Sequence, residues 1–554
     1  MKPAFIYGWL FIFAVFADGL ALAQDKQTAS REVSAVTIRT DAYGDQLGTV
    51  YFPVSCNEDA RQYAAQGLAL LHHMTYEGAR TAFAASTAVD ADCAMGYWGQ
   101  AMSFIHPLWS DPPNEADFEK AQALVNEANS RGQKTEWEKG YIAAVEAYFA
   151  QGRNRDEKVN LMSFEEAWQR VYQQFPEDVE AASFYALAHL ATADTTSQGY
   201  VRQQRAAEIA QRVLARAPDH PGAQHYIIHA YDYPPLAEKA LAVARSYGEI
   251  AANVPHALHM PSHIFTRLGL WQESITMNQR AAAIALAHPV GEAVSLHYLH
   301  ALDYLAYAYL QRAEDGKVKE ILDTIKSLKR PSQIHVATAY TMAAVPARFA
   351  LERQQWAEAA SLELRVPNDY PWDQFPAMEA ITHFARALGA ARSGNEPVAR
   401  QALGKLTDLH DQVKETSGSW AEQIDIQRLS AKAWLLYQEG KQAEALKVMR
   451  MAAKLEVATE KHPVTPGAIL PARELLADML LGIGRYQEAQ AEYLAMLENS
   501  PNRFNSLYGV ARAAELEGDN NQAALYYRKL IKVVAADAKR ARLQQARIFL
   551  EKLN

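Results

Sequence analysis

The sequence predicts an all-α protein built from repeated pairs of helices. His225 and His229 are four residues apart, as are His259 and His263, and each member of the second pair follows its counterpart by 34 residues. Four residues are about one helical turn, so each pair shares one helix face. A period of 34 with two helices per unit indicates a stack of helix–turn–helix repeats. Equivalent residues of neighbouring units then lie side by side.

Length and composition agree with such a stack. The chain has 554 residues, of which 49% are hydrophobic and 21% charged, as in ordinary soluble globular proteins. It is too long for one ordinary compact domain unless that domain is a solenoid, in which each unit contacts its neighbours alone. The net charge is −9 and no lysine- or arginine-rich block occurs before the last helix, which argues against nucleic acid as a partner.

The N-terminus has the pattern of a secretory signal peptide, predicted to span residues 1–23. Lys2 precedes an apolar run from Ala4 to Val15, and Ala21-Leu22-Ala23 fits the small-x-small cleavage rule. Cleavage is therefore predicted between Ala23 and Gln24. The alternative is a retained anchor, for which the run is short. We expect a periplasmic or secreted protein without a membrane span after removal of the signal.

The two cysteines are predicted to form a disulfide. Cys56 and Cys93 are the only cysteines in the chain, and an oxidising compartment favours their pairing. Each precedes the predicted first helix of a unit, and the two units are consecutive. Two buried free thiols are the alternative, and metal ligation by this pair is a further one.

The remaining chain divides into four parts. Residues 24–56 are predicted to be an extended lead-in, and helical units fill 57–536. Insertions break the 34-residue period, and Pro-rich loops occur at 106–113 and 366–376. The histidine-bearing units span about 176–312. A basic helix at 537–554 is predicted to be the polar cap that a solenoid needs, with a partner site as the alternative.

Two segments carry a family resemblance. These are CNEDARQYAAQGLALLHHMTYEGARTAFAASTAVDADCAMGYWGQAMS, which begins at Cys56, and FPAMEAITHFARALGAARSG, which begins at Phe375. They resemble tetratricopeptide repeat (TPR) proteins of the type that bacteria export, and the resemblance covers most of residues 56–536. It implies a superhelical stack of helix pairs, an α-solenoid, in which the first helix of each unit lines a concave groove. It implies little about function, because TPR units serve many functions.

The resemblance also places the recurring histidines on the groove. His256 shares a helix face with His259, and His300 shares one with His297. Carboxylates that can ligate or orient imidazoles in this region are Asp232, Glu292 and Asp303. The predicted ligand groove comprises His225, His229, His256, His259, His263, His297, His300 and Asp303.

Three hypotheses compete for these histidines. In the first, His225, His229, His259 and His263 converge on one transition-metal ion, and nitrogen ligands favour zinc or copper. In the second, the rings bind an organic or peptide ligand, assisted by nearby tyrosines. In the third, each ring bonds a neighbouring carbonyl and is structural. Pro261 lies mid-helix and predicts a kink, which either aims two rings at one point or is an ordinary bend.

We therefore expect an exported TPR-like binding protein whose His-rich groove holds a ligand, with a transition-metal ion favoured. One alternative is a protein–protein interaction scaffold of the cell envelope. The other is a metal-dependent hydrolase or oxidase that uses the same groove. No HExxH, GxSxG, Walker-type or GxGxxG motif occurs, so the sequence leaves open whether the protein is an enzyme. The partner is an unidentified envelope protein or a small ligand.

Overall fold

Antiparallel pairs of α-helices follow one another along the chain. The computed structural model describes residues 46–109, 111–150, 152, 156–193, 199–328, 332–415 and 417–553, all within one unit of residues 35–554. These described residues contain no β-strand, only isolated bridges of 290 with 293 and 294 with 332. The prediction of an all-α helical-repeat fold is confirmed. The predicted signal peptide, the cleavage point between Ala23 and Gln24, and the lead-in up to residue 45 lie outside the described residues.

An irregular segment and eight helices form the N-terminal part. In the segment, Val50, Phe52 and Val54 are buried, and the backbone N–H of Tyr51 donates to Glu180 at 2.7 Å. The lead-in from residue 46 is therefore packed against the helices that follow. These are α1 (Glu58–His72), α2 (Tyr76–Val89), α3 (Ala94–Met102), α4 (Glu115–Ser130), α5 (Glu136–Phe149), α6 (Glu157–Gln174), α7 (Val179–Ala191) and α8 (Val201–Leu214).

A disulfide joins the starts of two of these helices. Cys56 lies just before α1 and Cys93 just before α3, and their Cα atoms are 4.8 Å apart. The predicted bond between these two cysteines is confirmed. It ties the lead-in to the second helix pair.

Eight helices form the middle part and carry the histidines. Pro261 has no N–H to donate, so the helix that begins at Pro255 is interrupted after His259 and resumes at Pro261. The N–H of His263 instead bonds the carbonyl of Met260 at 3.1 Å. The helices are α9 (Pro221–Tyr231), α10 (Leu241–Ile250), α11 (Pro255–His259), α12 (Pro261–Arg267), α13 (Trp271–Ala287), α14 (Leu296–Gln311), α15 (Asp315–Lys326) and α16 (Val336–Glu352), with a 3₁₀ turn at Ala237–Ala240.

The C-terminal part continues the helix pairs and contains a long non-helical loop, residues 459–471, between α21 and α22. Its helices are α17 (Trp356–Ala360), α18 (Pro376–Ser393), α19 (Glu396–Val413), α20 (Gly418–Gln438), α21 (Gln442–Ala458), α22 (Ala472–Gly482), α23 (Tyr486–Asn499), α24 (Phe504–Glu517), α25 (Asn520–Val533) and α26 (Ala541–Leu553), with a 3₁₀ turn at Trp372–Gln374. None of the helices described for this chain is long and apolar enough to cross a membrane.

Units that are far apart in sequence touch each other. The indole N–H of Trp271 donates to the carbonyl of Asn502 at 3.0 Å, and the side chain of Gln333 donates to Glu77 at 2.9 Å. The expectation that each unit contacts its neighbours alone is therefore wrong. The stack coils tightly enough to bring units of different parts together, so the histidine-bearing helices are covered from both ends of the chain.

Two large apolar cores meet at these helices. On α11, Ala257 packs in the core that begins at the lead-in, whereas Leu258 packs in the core that extends into the C-terminal units. The histidines of α11 and α12 consequently lie deep between the two cores. This depth determines their electrostatics.

Candidate metal centre

The predicted histidines occupy four neighbouring helices. Helix α9 carries His225 and His229, α11 carries His256 and His259, α12 carries His263, and α14 carries His297 and His300. Five of the seven are buried, with at most 4% of the residue surface exposed; these are His225, His256, His259, His263 and His300. Six of the seven form two groups of three rings, and within each group the ligand nitrogens lie within 4.8 Å of one another.

The first group, the C-terminal triad, comprises His259, His263 and His300. The Nε2 atoms of His259 and His263 are 3.0 Å apart, and the rings of His259 and His300 have centroids 4.2 Å apart. Tyr304 packs against all three rings, and its hydroxyl donates to the carbonyl of Thr465 at 3.2 Å. Two helix segments and one long helix thus point three imidazoles at one place.

Hydrogen bonds fix which nitrogen of His259 carries the proton. Its Nδ1 lies 2.7 Å from Oδ1 of Asn278, and the Asn278 amide nitrogen donates to the carbonyl of Ser274 at 2.8 Å. Because a carbonyl only accepts, the amide orientation is set, and Oδ1 must accept from Nδ1 of His259. A neutral His259 ring therefore has an unprotonated Nε2.

The same argument applies to His263. Its Nδ1 lies 2.9 Å from Oδ2 of Asp232, an acceptor when ionised. Burial raises the pKa of Asp232, but Lys461, Arg267 and His263 together hold it well below its usual value. The Nε2 atoms of His259 and His263 therefore both present lone pairs across 3.0 Å. Two lone pairs at this distance repel unless a proton or a metal ion lies between them.

Burial disfavours the proton. It lowers the pKa of His259 and of His300 well below the usual 6.5, and it lowers the pKa of His263 despite the opposing effect of Asp232. The histidines consequently remain neutral at pH 7. A neutral imidazole whose other nitrogen donates to a carboxylate or carbonyl is the form that ligates metals.

Asp232 belongs to a buried ionic cluster at the edge of the triad. It accepts from Arg267 Nε at 2.8 Å and from Lys461 Nζ at 3.0 Å. Arg267 also pairs with Glu460 at 2.6 Å. The two positive and two negative groups balance, so this cluster orients His263 without adding net charge beside the rings.

The second group, the N-terminal triad, comprises His225, His229 and His256. Nδ1 of His225 donates to the carbonyl of His72 at 2.7 Å, so a neutral His225 has its lone pair on Nε2, which lies 3.1 Å from Nε2 of His229. Both ring nitrogens of His256 are buried and have no hydrogen-bond partner among the described residues. Burial lowers the pKa of His229 to about 3 and that of His256 well below 6.5.

A third group, His72, Glu180 and His220, also has ligand spacing but differs in its hydrogen bonds. His72 bonds Glu180 at 2.7 Å and the hydroxyl of Tyr226 at 2.9 Å. His220 bonds Glu180 at 3.2 Å and accepts from the N–H of Ala223 at 3.1 Å. Every ring nitrogen here has a protein partner, so this group is structural.

A cavity of about 20 Å³ lies among the rings of the first two groups. Its volume is that of roughly one water molecule. Two loops cover it: Trp109 approaches from the Pro-rich loop at 106–113, with its ring 5.3 Å from that of His256, and Val464 approaches from the loop 459–471. The cavity is lined by Leu108, Trp109, His229, His256, His263, His300, Val336, His462, Pro463 and Val464.

The other predicted residues lie outside both triads. His297 packs against both Trp109 and His256, and burial lowers its pKa to about 4. Asp303 is buried against Arg348, and Glu292 is exposed in the turn before α14. The four residues predicted to hold one ion, His225, His229, His259 and His263, are divided between the two triads. The third ring of each triad comes from a different helix.

A larger cavity of about 250 Å³ adjoins the triads on the C-terminal side. Tyr200, Trp420 and Arg267 line it, and His462 lines both cavities. Buried polar atoms of three residues around it, Gln427 Oε1, Arg473 Nε and His462 Nε2, have no partner among the described residues. Such atoms suit a polar ligand.

Sequence reasoning did not identify several residues that shape the centre. Asn278 orients His259, and Trp109 and His462 come from loops that the repeat period does not place. One signal was present: Ser274 and Asn278 are polar, although they lie four residues apart on the face of α13 where a paired helix usually carries apolar residues. A polar residue in a predicted core position indicates a buried partner. The Pro-rich loop at 106–113 was visible in the sequence, but no pattern placed it or the loop 459–471 against the histidines.

No protein-family model and no curated protein sequence matches this chain. Among solved structures, it is similar to human IFIT1 bound to m7Gppp-AAAA, with 14% identity, a TM-score of 0.36, and coverage of 88% of this chain and 97% of that one. Yeast Tom70 gives 10% identity, a TM-score of 0.32, and coverage of 89% and 95%. A tetratricopeptide repeat protein from Parabacteroides merdae gives 16%, 0.29, and coverage of 56% and 100%. These similarities concern a TPR-like helical-repeat fold, and they carry no argument about function.

Proposed function

We propose that this protein binds a transition-metal ion, zinc or copper, through His259, His263 and His300. The observation that carries the proposal is the pair of Nε2 lone pairs of His259 and His263, which face each other at 3.0 Å because Asn278 and Asp232 hold the protons on Nδ1. Nitrogen ligands without carboxylate in the first sphere favour zinc or copper over magnesium or calcium.

The test is metal analysis of protein purified without chelator and without a His-tag. The wild type is expected to retain about one equivalent of zinc or copper for this site, and His259→Ala and His300→Ala are expected to lose it. The matched control is His410→Ala, since His410 lies on α19, far along the chain and partly exposed. Circular dichroism establishes that each variant is folded.

A second measurement covers the case in which the variants do not fold. X-ray absorption of the zinc-loaded wild type is expected to give a shell of nitrogen ligands at about 2.0–2.1 Å. A wild type that takes up no zinc or copper in dialysis against the free ion, or a shell dominated by sulfur, would refute the proposal.

A protein–protein interaction scaffold is the second candidate. The 250 Å³ cavity, with its aromatic and charged lining, favours it. Trp420, which lines the cavity, is the residue to change: a partner identified by cross-linking and lost in Trp420→Ala, in protein stripped of metal, would support this function. Unchanged cross-linking in Trp420→Ala would count against it.

We also propose that the protein is exported to the periplasm or secreted. The Cys56–Cys93 disulfide supports this location, because such bonds persist in oxidising compartments. Cell fractionation and N-terminal sequencing of the mature protein test it. A mature protein in the envelope or medium that starts at Gln24 is expected, whereas an unprocessed cytoplasmic protein with reduced cysteines would contradict it.

A further inference from the structure

We propose that the N-terminal triad, His225, His229 and His256, binds a second transition-metal ion and that the two ions share one water-sized anion. This inference rests on the proposed function of the C-terminal triad, and it adds a second site and a bridging ligand to it. Three independent observations lead to it: the hydrogen bonds of the N-terminal triad, the distances between the triads, and the cavity that both triads line.

In the N-terminal triad, the rings of His225 and His229 are bonded at Nε2 only to each other, and His256 has no hydrogen-bond partner among the described residues. His225 donates from Nδ1 to the carbonyl of His72 at 2.7 Å, which leaves the Nε2 lone pair facing His229 at 3.1 Å. His256 uses neither of its buried nitrogens among the described residues. An unsatisfied buried polar atom costs about 1–3 kcal/mol, so a ring with two of them requires an explanation. A metal ion bound at one nitrogen satisfies that nitrogen, and the other nitrogen of the neutral ring carries the proton.

The group formed by His72, Glu180 and His220 shows that this protein can satisfy buried histidines without an ion. There, the four ring nitrogens all have protein partners within 3.2 Å. His256 lies at a comparable depth, with 2% of its surface exposed, yet has none. His256 therefore differs from the rings of this structural group in having no protein partner at all among the described residues.

The two triads are adjacent. The ring centroids of His229 and His263 are 5.9 Å apart, and those of His256 and His259 are 6.1 Å apart. Both triads contribute to the cavity of about 20 Å³, His229 and His256 from one and His263 and His300 from the other. A single water-sized ligand in this cavity lies against rings of both triads.

Charge determines what that ligand is. Six neutral imidazoles leave the charge of two divalent ions uncompensated, and the nearby carboxylates of Asp232 and Glu460 are already paired with Arg267 and Lys461. Buried excess charge is costly. A metal-bound water loses a proton readily, with its pKa brought to about 7 at a zinc site. The ligand in the cavity is therefore hydroxide, formed by release of one proton to solvent.

Copper loading tests the stoichiometry. Metal-stripped wild type dialysed against Cu²⁺ is expected to bind two equivalents, and His256→Ala one. His410→Ala is the control and is expected to bind two. If the wild type binds a single equivalent that His300→Ala removes and His256→Ala leaves intact, the second site is refuted while the proposed function of the C-terminal triad stands. If the wild type binds neither copper nor, in a parallel dialysis, zinc, both fail.

Electron paramagnetic resonance tests the shared hydroxide on the wild type, so the result does not depend on whether a variant folds. Two Cu²⁺ ions that share a single-atom bridge couple their spins, and the integrated signal is expected to fall below half of the bound copper. In His256→Ala, each remaining copper is expected to give one full spin. A wild type with two coppers and two full, independent spins would overturn the bridge.

Discussion

Replacement of Asp232 by Asn should destabilise the protein strongly, because it removes one charge from a balanced buried cluster. Asp232 accepts from His263 at 2.9 Å, Arg267 at 2.8 Å and Lys461 at 3.0 Å. In Asp232→Asn, Arg267 keeps Glu460 as a partner. Lys461, whose side chain is 12% exposed, loses its carboxylate. Removal of one partner from a buried ion pair costs about 3–5 kcal/mol.

The assay is urea unfolding of the metal-free protein at pH 7, followed by circular dichroism. The expected loss for Asp232→Asn is about 3–5 kcal/mol in the free energy of unfolding. The matched control is Asp323→Asn, where the carboxylate and its partner Lys319 are both more than 60% exposed. An exposed pair contributes about 0–1 kcal/mol, so the control is expected to unfold close to the wild type.

A second substitution isolates the charge. Lys461→Met in the Asp232→Asn background removes the unpaired cation and is expected to recover most of the lost stability, which gives a coupling energy between the two sites. The single variant should also bind metal about 10–100-fold more weakly, since His263 loses the carboxylate that orients it. A loss of less than about 1 kcal/mol in Asp232→Asn would refute the argument that this cluster is balanced and buried.

Three further predictions concern other parts of the chain. The Cys56–Cys93 bond closes a loop with a sequence separation of 37, so Cys56→Ala/Cys93→Ala should lose about 4 kcal/mol on the loop-entropy model, and unfolded, unreduced wild type should contain no titratable thiol. Truncation after Gly440 should leave the N-terminal units helical by circular dichroism but make bound metal labile to chelators, because it removes the loop 459–471 that covers the cavity. Burial lowers the pKa of His73 to about 3, so its contribution to stability is complete above pH 6.5 and is lost as the pH falls toward 3. At pH 5 this loss is about 2 kcal/mol, and His73→Gln should flatten the pH profile of urea unfolding accordingly.

The fold was largely predictable because residues close together in the sequence determine each helix pair. Small residues such as Ala79 and Ala489 allow two paired helices to approach closely, and both are fully buried. The cysteine pairing was also predictable, since Cys56 and Cys93 precede the first helices of consecutive units. The repeat period does not determine how the whole stack coils. Contacts between distant units, such as Trp271 with Asn502, depend on that coiling.

The sequence predicts the histidines of the candidate site, but not how they group or which other residues orient and cover them. A further step of 34 residues leads from His263 to His297. In the structure it is His300, three residues later on the same helix, that completes the C-terminal triad. Across the break at Pro261, His259 and His263 still bring their Nε2 atoms to 3.0 Å, as the equivalent His225 and His229 do at 3.1 Å. The third ring of each triad comes from another helix, and the repeat period does not predict which ring that is. The orienting partner Asn278 lies on a second helix, and only the packing of α11 against α13 brings it to His259.

Burial changes the pH range over which metal binding should persist. A groove open to solvent would place the histidine pKa values near 6.5, and binding would weaken below about pH 6 because protonated imidazole cannot ligate. In the structure, Trp109 and the loop 459–471 cover the rings, and burial lowers the pKa of His229 to about 3 and those of His256, His259 and His300 well below 6.5. Protons therefore compete for the ring nitrogens only in more acidic solution. Metal release on acidification thus reports whether the two loops remain closed over the triads.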